Sequence, residues 1–315
     1  MRPAAYIAGL GILSLLAVES LAGSGGSGLL HPPRRALTPE VVAQSDAAFA
    51  RVHAAREDFE VTAPDGVRLR GWKVRAAPGT ATGDWILLYH GQADNRAGMT
   101  GQAEMFLRHG ESVVMMDARG HGASEGDMVT YGWLERNDSR AIVDALVAQE
   151  HPHCLFASGE SMGASIALQS AAVEPRIEAV VAESAFRDLR EAAYDYAGLH
   201  VSPLLGKTLF RPVVMIGLPA AEKEGGFRAE DVSPEKAVAS RPFPVYLICG
   251  LDDRTIPARH TRAIYAAAKG PKEMWLVPGA GHTQVQGRAP EEFERRVIGF
   301  VSALHMAKSP SAPAH

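Results

Sequence analysis

Short, continuous apolar runs recur along the chain, and longer segments rich in helix-forming residues separate them. We predict that these runs are buried strands: Trp85–Tyr89, Ser112–Met116, Cys154–Ala157, Ile177–Ala182, Val245–Cys249 and Glu273–Val277. Helices are predicted at 39–55, 96–109, 133–150, 164–172, 258–268 and 290–306. Strands that are apolar throughout and alternate with helices indicate a mainly parallel sheet that is covered on both faces. The predicted fold class is therefore α/β.

An earlier pair of runs follows a different pattern. Phe59–Thr62 and Val67–Val74 alternate apolar and polar residues, and Asp65 and Gly66 lie between them. Two alternating runs around Asp-Gly are typical of a β-hairpin. We therefore expect an antiparallel hairpin before the parallel strands.

The segment 187–241 contains no apolar strand and is too long for an ordinary connection. We expect a small helical cap over the carboxyl-terminal edge of the sheet; the alternative is a disordered insertion. The apolar runs Val201–Leu205 and Val213–Ile216 favour the cap. Because a cap at this edge lies over the ligand site, Phe210 and Met215 are our candidates for lining a substrate pocket.

The first 22 residues have the pattern of a targeting segment. Arg2 precedes an apolar run at 4–18, and a small-x-small site ends at Ala22. This pattern predicts a signal peptide at 1–22 and an exported protein, either periplasmic or secreted. The alternatives are an uncleaved anchor at 4–22, which would associate the protein with a membrane, and a cytosolic helix.

Three further boundaries complete the predicted organisation. Residues 23–38 form a linker, 39–306 form the folded domain with the cap inserted, and 307–315 form a disordered tail. The linker contains a G-x-G-x-x-G match at 23–28, but no strand precedes it. A dinucleotide site is therefore not predicted there.

Charge and cysteine content narrow the possible partners and cofactors. The net charge is −4 and no basic block is present, which argues against nucleic acid as a partner. Cys154 and Cys249 fall in apolar runs and are predicted to be buried free thiols. No metal or organic cofactor is predicted, and His151-Pro152-His153 is interpreted as a surface turn before a strand.

The pentapeptide Gly159-Glu160-Ser161-Met162-Gly163 lies between a predicted strand and a predicted helix. This is the setting of a nucleophile elbow, in which two glycines let strand and helix approach and leave the serine hydroxyl exposed. The N–H of Met162 would then lie at a helix N-terminus, where it can stabilise an oxyanion. The alternative is a Gly-Ser turn with no chemical role.

A serine nucleophile needs a base, and the base needs a group that orients it. His282 lies in a loop just after a strand, unlike the other downstream histidines: His260, His305 and His315. Asp252 and Asp253 both follow the strand that ends at Cys249, and loop position alone leaves both open as the acid. The N–H of Gln92, after the strand that ends at Tyr89, is the candidate second oxyanion donor.

These motifs together resemble the α/β-hydrolase superfamily. The matching segments are His90-Gly91, Asp117–Ser124, Gly159–Gly163, Gly250–Pro257 and Gly281-His282. The resemblance extends from Phe59 to Leu304, and it is greatest to the bacterial serine esterase and lysophospholipase-like branch.

The resemblance implies roles for individual residues. The family pattern G-x-x-D followed four residues later by Pro falls on Gly250, Asp253 and Pro257, which implies that Asp253 is the triad acid. The loop that contains His121 resembles a structural loop of the family, so we expect a structural role for this histidine.

The implied activity is hydrolysis of a small-molecule carboxylic ester through an acyl-enzyme on Ser161. His282 would act as base, Asp253 would orient it, and the N–H groups of Gln92 and Met162 would bind the oxyanion. We expect a preference for short to medium acyl chains. The alternatives are a serine peptidase similar to prolyl oligopeptidase and a catalytically silent binding protein of the same fold.

Overall fold

Eight strands form one sheet in the computed structural model, which describes residues 28–198, 208–209 and 211–308. The strands are β1 Arg56–Thr62, β2 Arg68–Val74, β3 Trp85–Tyr89, β4 Ser112–Met116, β5 Leu155–Glu160, β6 Ala179–Glu183, β7 Val245–Gly250 and β8 Lys272–Val277. The helices are α1 Pro39–Arg51, α2 Thr100–Arg108, α3 Glu135–Glu150, α4 Met162–Val173, α5 Leu189–Gly198, α6 Arg211–Gly225, α7 Pro234–Ser240, α8 Arg259–Ala267, α9 Val285–Arg288 and α10 Pro290–Lys308.

The strand order is β1-β2-β4-β3-β5-β6-β7-β8. β1 and β2 form the predicted antiparallel hairpin, and β2 also pairs antiparallel with β4. The pairs from β4 through β3, β5, β6 and β7 to β8 are all parallel. The predicted α/β fold with a mainly parallel sheet is therefore confirmed.

Helices cover both faces of the sheet because side chains alternate along each buried strand. On β3, Ile86 and Leu88 point to a core that contains Phe49 of α1, Phe106 of α2 and Phe293 of α10. The intervening Leu87 points to the opposite core, which α3, α4, α7 and α8 supply. Burial on both faces holds the strand ends in fixed positions.

Three helices, α5, α6 and α7, lie in the described part of the predicted cap. A third apolar cluster packs α5 and α6 against Leu30, Tyr131 and Met162, next to the carboxyl end of β5. Residues 199–207 and Phe210 lie outside the described residues, so the apolar run at 201–205 has no structural account. The exact limits of the cap remain a prediction.

The predicted signal peptide also lies outside the described residues, as does the tail from residue 309. Among the helices of the described residues, none combines the length and the apolar character that crossing a membrane requires.

Candidate active site

The candidate catalytic residues follow the carboxyl ends of four parallel strands. Gln92 follows β3, Ser161 follows β5, Asp253 follows β7 and His282 follows β8. Because these strands are parallel, their carboxyl ends meet at one edge of the sheet, where ligands bind in open α/β folds. The fold thus brings together residues that are far apart in the sequence.

Ser161 occupies a strained turn between β5 and α4. Its backbone angles are φ 53° and ψ −118°, in a region that residues with a side chain rarely adopt. A Cβ atom on Gly159 would lie 2.6 Å from the carbonyl carbon of Gly163. A Cβ atom on Gly163 would lie 2.1 Å from the carbonyl oxygen of Tyr89. Both flanking glycines are therefore required for the sharp turn that presents the serine.

A chain of hydrogen bonds joins the serine, the histidine and one aspartate. His282 Nε2 lies 2.8 Å from Ser161 Oγ, and His282 Nδ1 lies 2.8 Å from Asp253 Oδ2. The other carboxylate oxygen of Asp253 accepts the backbone N–H groups of Thr255 and Ile256 at 2.9 and 2.8 Å. A carboxylate only accepts, so the ring proton belongs on Nδ1, and Nε2 is free to accept the serine proton.

The structure distinguishes the two neighbouring aspartates. Asp252 is exposed, whereas the side chain of Asp253 is completely buried and carries the oxygen that hydrogen-bonds His282. The other described downstream histidines lie elsewhere: His260 is buried against Asp195, and His305 contacts Asp84.

The two candidate oxyanion donors flank the serine. Gln92 and Met162 line the same cavity as Ser161. The Gln92 side chain donates from Nε2 to the hydroxyl of Tyr131 at 3.0 Å, which holds this residue at the cavity wall.

Two buried histidines fix the loop after β3. His121 Nε2 accepts the N–H of Ala93 at 3.2 Å, and His90 Nε2 accepts the N–H of Ala118 at 3.0 Å. Burial lowers the pKa of both rings, that of His121 to about 4, so both are neutral acceptors near neutral pH. His121 has the contacts of a structural residue, as the sequence suggested.

A cavity of about 340 Å³ extends from Ser161 beneath the cap. Most of its lining is apolar or aromatic: Leu29, Tyr131, Met162, Phe186, Leu189, Ala192, Ala193, Tyr196 and Ile256. The cap contributes helix α5 to this wall. The prediction for Met215 was wrong, because this residue lies on α6 and is 57% exposed; Phe210 lies outside the described residues.

A second, more open cleft of about 450 Å³ also borders the serine, and Gln92, Tyr196 and Thr255 line both spaces. Its lining is more polar and includes Asp94, Glu160 and His282. Ser161 belongs to the walls of both spaces, so a group bound at its hydroxyl would reach both an apolar chamber and a more polar cleft.

Two acidic residues of the site were not predicted from the sequence. Glu160 and Glu183 end the neighbouring strands β5 and β6 and lie directly opposite each other in the parallel register. Burial raises the pKa of Glu183 to about 7. Burial, followed by the charge of Glu183, raises the pKa of Glu160 to about 8. The sequence signal that could have identified them is a glutamate at the end of an apolar strand next to the elbow.

Glu183 also has two structural contacts. Its Oε1 accepts the N–H of Val285 at 2.9 Å, which connects β6 to the helix that follows the His282 loop. Its backbone oxygen accepts the N–H of Ser161 at 2.8 Å. Glu183 therefore contacts both the turn that carries Ser161 and the helix that follows the His282 loop.

Sequence comparisons agree with this architecture. A family model described as serine aminopeptidase, S33, matches residues 81–214, a range that includes Ser161. The uncharacterized protein YfhR of Escherichia coli K12 is 28% identical over 256 residues, which cover 79% of this chain and 82% of that protein. The uncharacterized protein Rv2307c of Mycobacterium tuberculosis H37Rv is 29% identical over 289 residues, which cover 91% and 92% of the two chains.

Solved structures share the fold. The esterase Pf2001 of Pyrococcus furiosus superposes with a TM-score of 0.67 at 24% identity, over 87% of this chain and 98% of that chain. The acylaminoacyl peptidase of Pyrococcus horikoshii superposes with a TM-score of 0.62 at 16% identity, over 83% of this chain and 43% of that chain. With its mainly parallel eight-stranded sheet, the chain has the α/β-hydrolase fold that it shares with these solved structures.

Proposed function

We propose that the protein is a serine hydrolase that cleaves carboxylic esters through an acyl-enzyme on Ser161. One observation carries this proposal: two hydrogen bonds of 2.8 Å connect Asp253, His282 and Ser161 at the mouth of an apolar cavity. Nucleophile, base and orienting acid are the three roles that acyl transfer to serine requires.

Acylation begins when Ser161 Oγ attacks the ester carbonyl carbon and its proton passes to His282 Nε2. Asp253 stabilises the imidazolium that forms. The carbonyl oxygen becomes an oxyanion, for which the backbone N–H groups of Gln92 and Met162 are the proposed donors. Collapse of the tetrahedral intermediate breaks the bond to the alkoxy oxygen, which leaves as the alcohol with the proton from His282.

Deacylation repeats these steps with water. His282 takes one proton from a water molecule, and the hydroxide oxygen attacks the acyl carbon. When the new intermediate collapses, the bond to Ser161 Oγ breaks and the proton on His282 returns to that oxygen. The products are a carboxylic acid and the regenerated enzyme.

The two spaces beside the serine suggest how an ester would lie. The apolar chamber under α5 would take the acyl chain, and the polar cleft would take the alcohol. A chamber of about 340 Å³ favours acyl chains of short to medium length.

A peptidase is the second candidate function, and the acidic cleft favours it. Asp94, which pairs with Arg35, lines the space beside the nucleophile, where its negative charge would attract a substrate amino group. Glu160 lines the same space, but burial raises its pKa to about 8, so it would add charge only at higher pH. The family match to serine aminopeptidases and the likeness to an acylaminoacyl peptidase are consistent with this alternative.

A substrate panel separates the two candidates. We expect p-nitrophenyl esters to be hydrolysed with the highest kcat/KM between butyrate and octanoate, and aminoacyl p-nitroanilides to be poor substrates. Ser161→Ala should lower ester turnover by at least about 10⁴-fold. The matched control is Ser240→Ala, because Ser240 ends α7, where its hydroxyl donates to Ala237.

Each other outcome has a definite meaning. Faster turnover of an anilide than of every ester would favour the peptidase. Unchanged ester turnover in the Ser161→Ala variant would contradict both candidates. If the folded wild-type protein turned over no substrate and reacted with no serine probe, a silent binding protein would be the better description.

A further inference from the structure

A cluster of four metal-ligating side chains lies at the edge of the sheet opposite Ser161. Asp84 immediately precedes β3, and His153 and Cys154 immediately precede β5. His305 belongs to the last helix, α10. The amino ends of these parallel strands lie at the edge away from the carboxyl ends that carry the catalytic residues.

The fold brings these residues together for a simple reason. β3 and β5 are parallel neighbours, and Trp85 pairs with Leu155 at their amino ends. The preceding residues therefore lie side by side, and the N–H of Cys154 donates to Asp84 Oδ1 at 3.1 Å. Helix α10 then places His305 Nδ1 2.8 Å from Asp84 Oδ2.

The donor atoms are nearly as close together as the ligands of a single ion. His153 Nδ1 lies 3.1 Å from Asp84 Oδ1 and 3.4 Å from Cys154 Sγ. One donor atom from each of the four residues lies within 4.8 Å of the others. Zinc bonds of about 2.0–2.3 Å in a tetrahedron put neighbouring ligand atoms about 3.3–3.7 Å apart. A small contraction of the cluster would therefore complete the coordination sphere.

We propose that Asp84, His153, Cys154 and His305 form a structural zinc site. Thiolate, imidazole and carboxylate are the zinc ligands of proteins, and a site with four protein ligands is closed, as structural zinc sites are. Asp84 and Cys154 are buried, whereas the two histidines are partly exposed and leave a path for the ion. Zinc at this position fastens α10 to two central strands.

The charges around the cluster favour a cation. Glu111 is buried and interacts electrostatically with Asp84 and His305. Its Oε2 has no hydrogen-bond partner within the described part of the chain. The ammonium of Lys308 lies nearby but is hydrogen-bonded to Glu178 and to the backbone oxygen of His153. The buried Asp84 carboxylate is therefore the negative charge that compensates a bound cation.

Binding of one zinc ion releases one proton. The Cys154 thiol releases its proton to solvent and binds as thiolate, and Asp84 binds as carboxylate. His153 and His305 bind through Nδ1 as neutral rings, so each carries its proton on Nε2. Two anionic ligands leave the zinc centre with no net charge.

Cobalt(II) and zinc(II) binding to the untagged, chelator-treated full chain test this proposal. We expect one Zn²⁺ per chain by calorimetry. Co²⁺ should give the visible absorption of a tetrahedral site together with a thiolate charge-transfer band. Cys154→Ser should abolish that band, and His305→Gln should weaken zinc binding at least about 100-fold, since even outer-sphere partners are worth about 10–100-fold.

Matched variants control for the residue types. Cys249→Ser changes the other buried thiol, and His109→Gln changes an exposed histidine that pairs with Glu294. Both controls should bind zinc like the wild type. Three results would overturn the proposal: a wild-type chain that does not bind Zn²⁺, Co²⁺ spectra without a thiolate band, or equal zinc affinities in the wild type and in folded His305→Gln.

Discussion

Glu183 should make the folded protein less stable as pH rises, which is the opposite of what most carboxyl groups do. Glu183→Gln should remove this contribution. Glu183 is 2% exposed, and burial raises its pKa from 4.5 to about 7. Between these values the folded protein keeps a proton that the unfolded chain has lost. The free energy of unfolding contributed by this group therefore falls as pH rises from about 4.5 to 7, and stays low above that range.

The size of the effect follows from the shift. Each pKa unit corresponds to about 1.4 kcal/mol, so a rise of the pKa from 4.5 to about 7 is worth about 3.5 kcal/mol in full, most of which falls between about pH 4 and 8.5. Glutamine carries no charge, and its side-chain oxygen can still accept the N–H of Val285. Besides burial, the N–H of Val285 and then His282 lower the pKa of Glu183, and Asp253 raises it. Glu160 lies opposite Glu183, and the charge of Glu183 raises the pKa of Glu160. The substitution would therefore also lower the pKa of Glu160.

Urea denaturation of both proteins, followed by circular dichroism at about pH 4, 5.5, 7 and 8.5, measures this effect. The free energy of unfolding of the variant minus that of the wild type should rise by about 3 kcal/mol across the series. Glu273→Gln is the matched control, because Glu273 is exposed on β8. A difference that stays constant with pH, or that falls, would refute the reasoning about the buried carboxyl.

Three further predictions concern the triad, the elbow and the N-terminus. Asp253→Asn should lower ester kcat about 10³–10⁴-fold because the imidazolium loses its partner, whereas Asp252→Asn should change kcat less than about threefold; a reversed ranking would contradict the assignment. Gly163→Ala should lower the free energy of unfolding by at least about 2 kcal/mol, because the new Cβ would lie 2.1 Å from a carbonyl oxygen of β3. In the same thermal melts the control Gly299→Ala, at an exposed helix position, should be neutral or stabilising. Expression in a Gram-negative host followed by N-terminal sequencing should find that residues 1–22 are removed; a membrane-bound chain that still begins at Met1 would favour the anchor.

The strands and the elbow were predictable from the sequence because their signals are local. A buried parallel strand must be apolar along its whole length, so Trp85–Tyr89 and Ser112–Met116 were located without error at either end. The elbow needs small residues on both sides of Ser161, which the glycine spacing displays directly. His282 could be selected as the candidate base because it follows a strand and belongs to no helix.

Features that depend on tertiary contacts were not predictable. Loop position gave no reason to prefer Asp253 over Asp252, and only the family pattern on Gly250, Asp253 and Pro257 implied the choice. The folded chain shows directly that Asp253 is the carboxylate buried against His282. The apolar character of Met215 suggested a pocket wall, but in the structure its helix turns that side chain to solvent.

The cluster at the opposite edge of the sheet shows the same limit. Its members lie at positions 84, 153, 154 and 305, and no spacing motif connects them. The His-Pro-His segment alone indicated a surface turn. Only the parallel register of β3 and β5, together with the course of α10, places the donor atoms side by side.

Reaction with a fluorophosphonate, followed by peptide mass spectrometry, tests the central claim most directly. A phosphonate adduct forms only on a serine whose hydroxyl is activated by a neighbouring base. The account predicts one adduct, on the peptide that contains Ser161, in the wild type and in Ser240→Ala. Labelling should be lost in Ser161→Ala and greatly slowed in His282→Gln. An adduct on a different residue, or a folded wild-type protein that the probe leaves unmodified, would contradict the claim that Ser161 is an activated nucleophile.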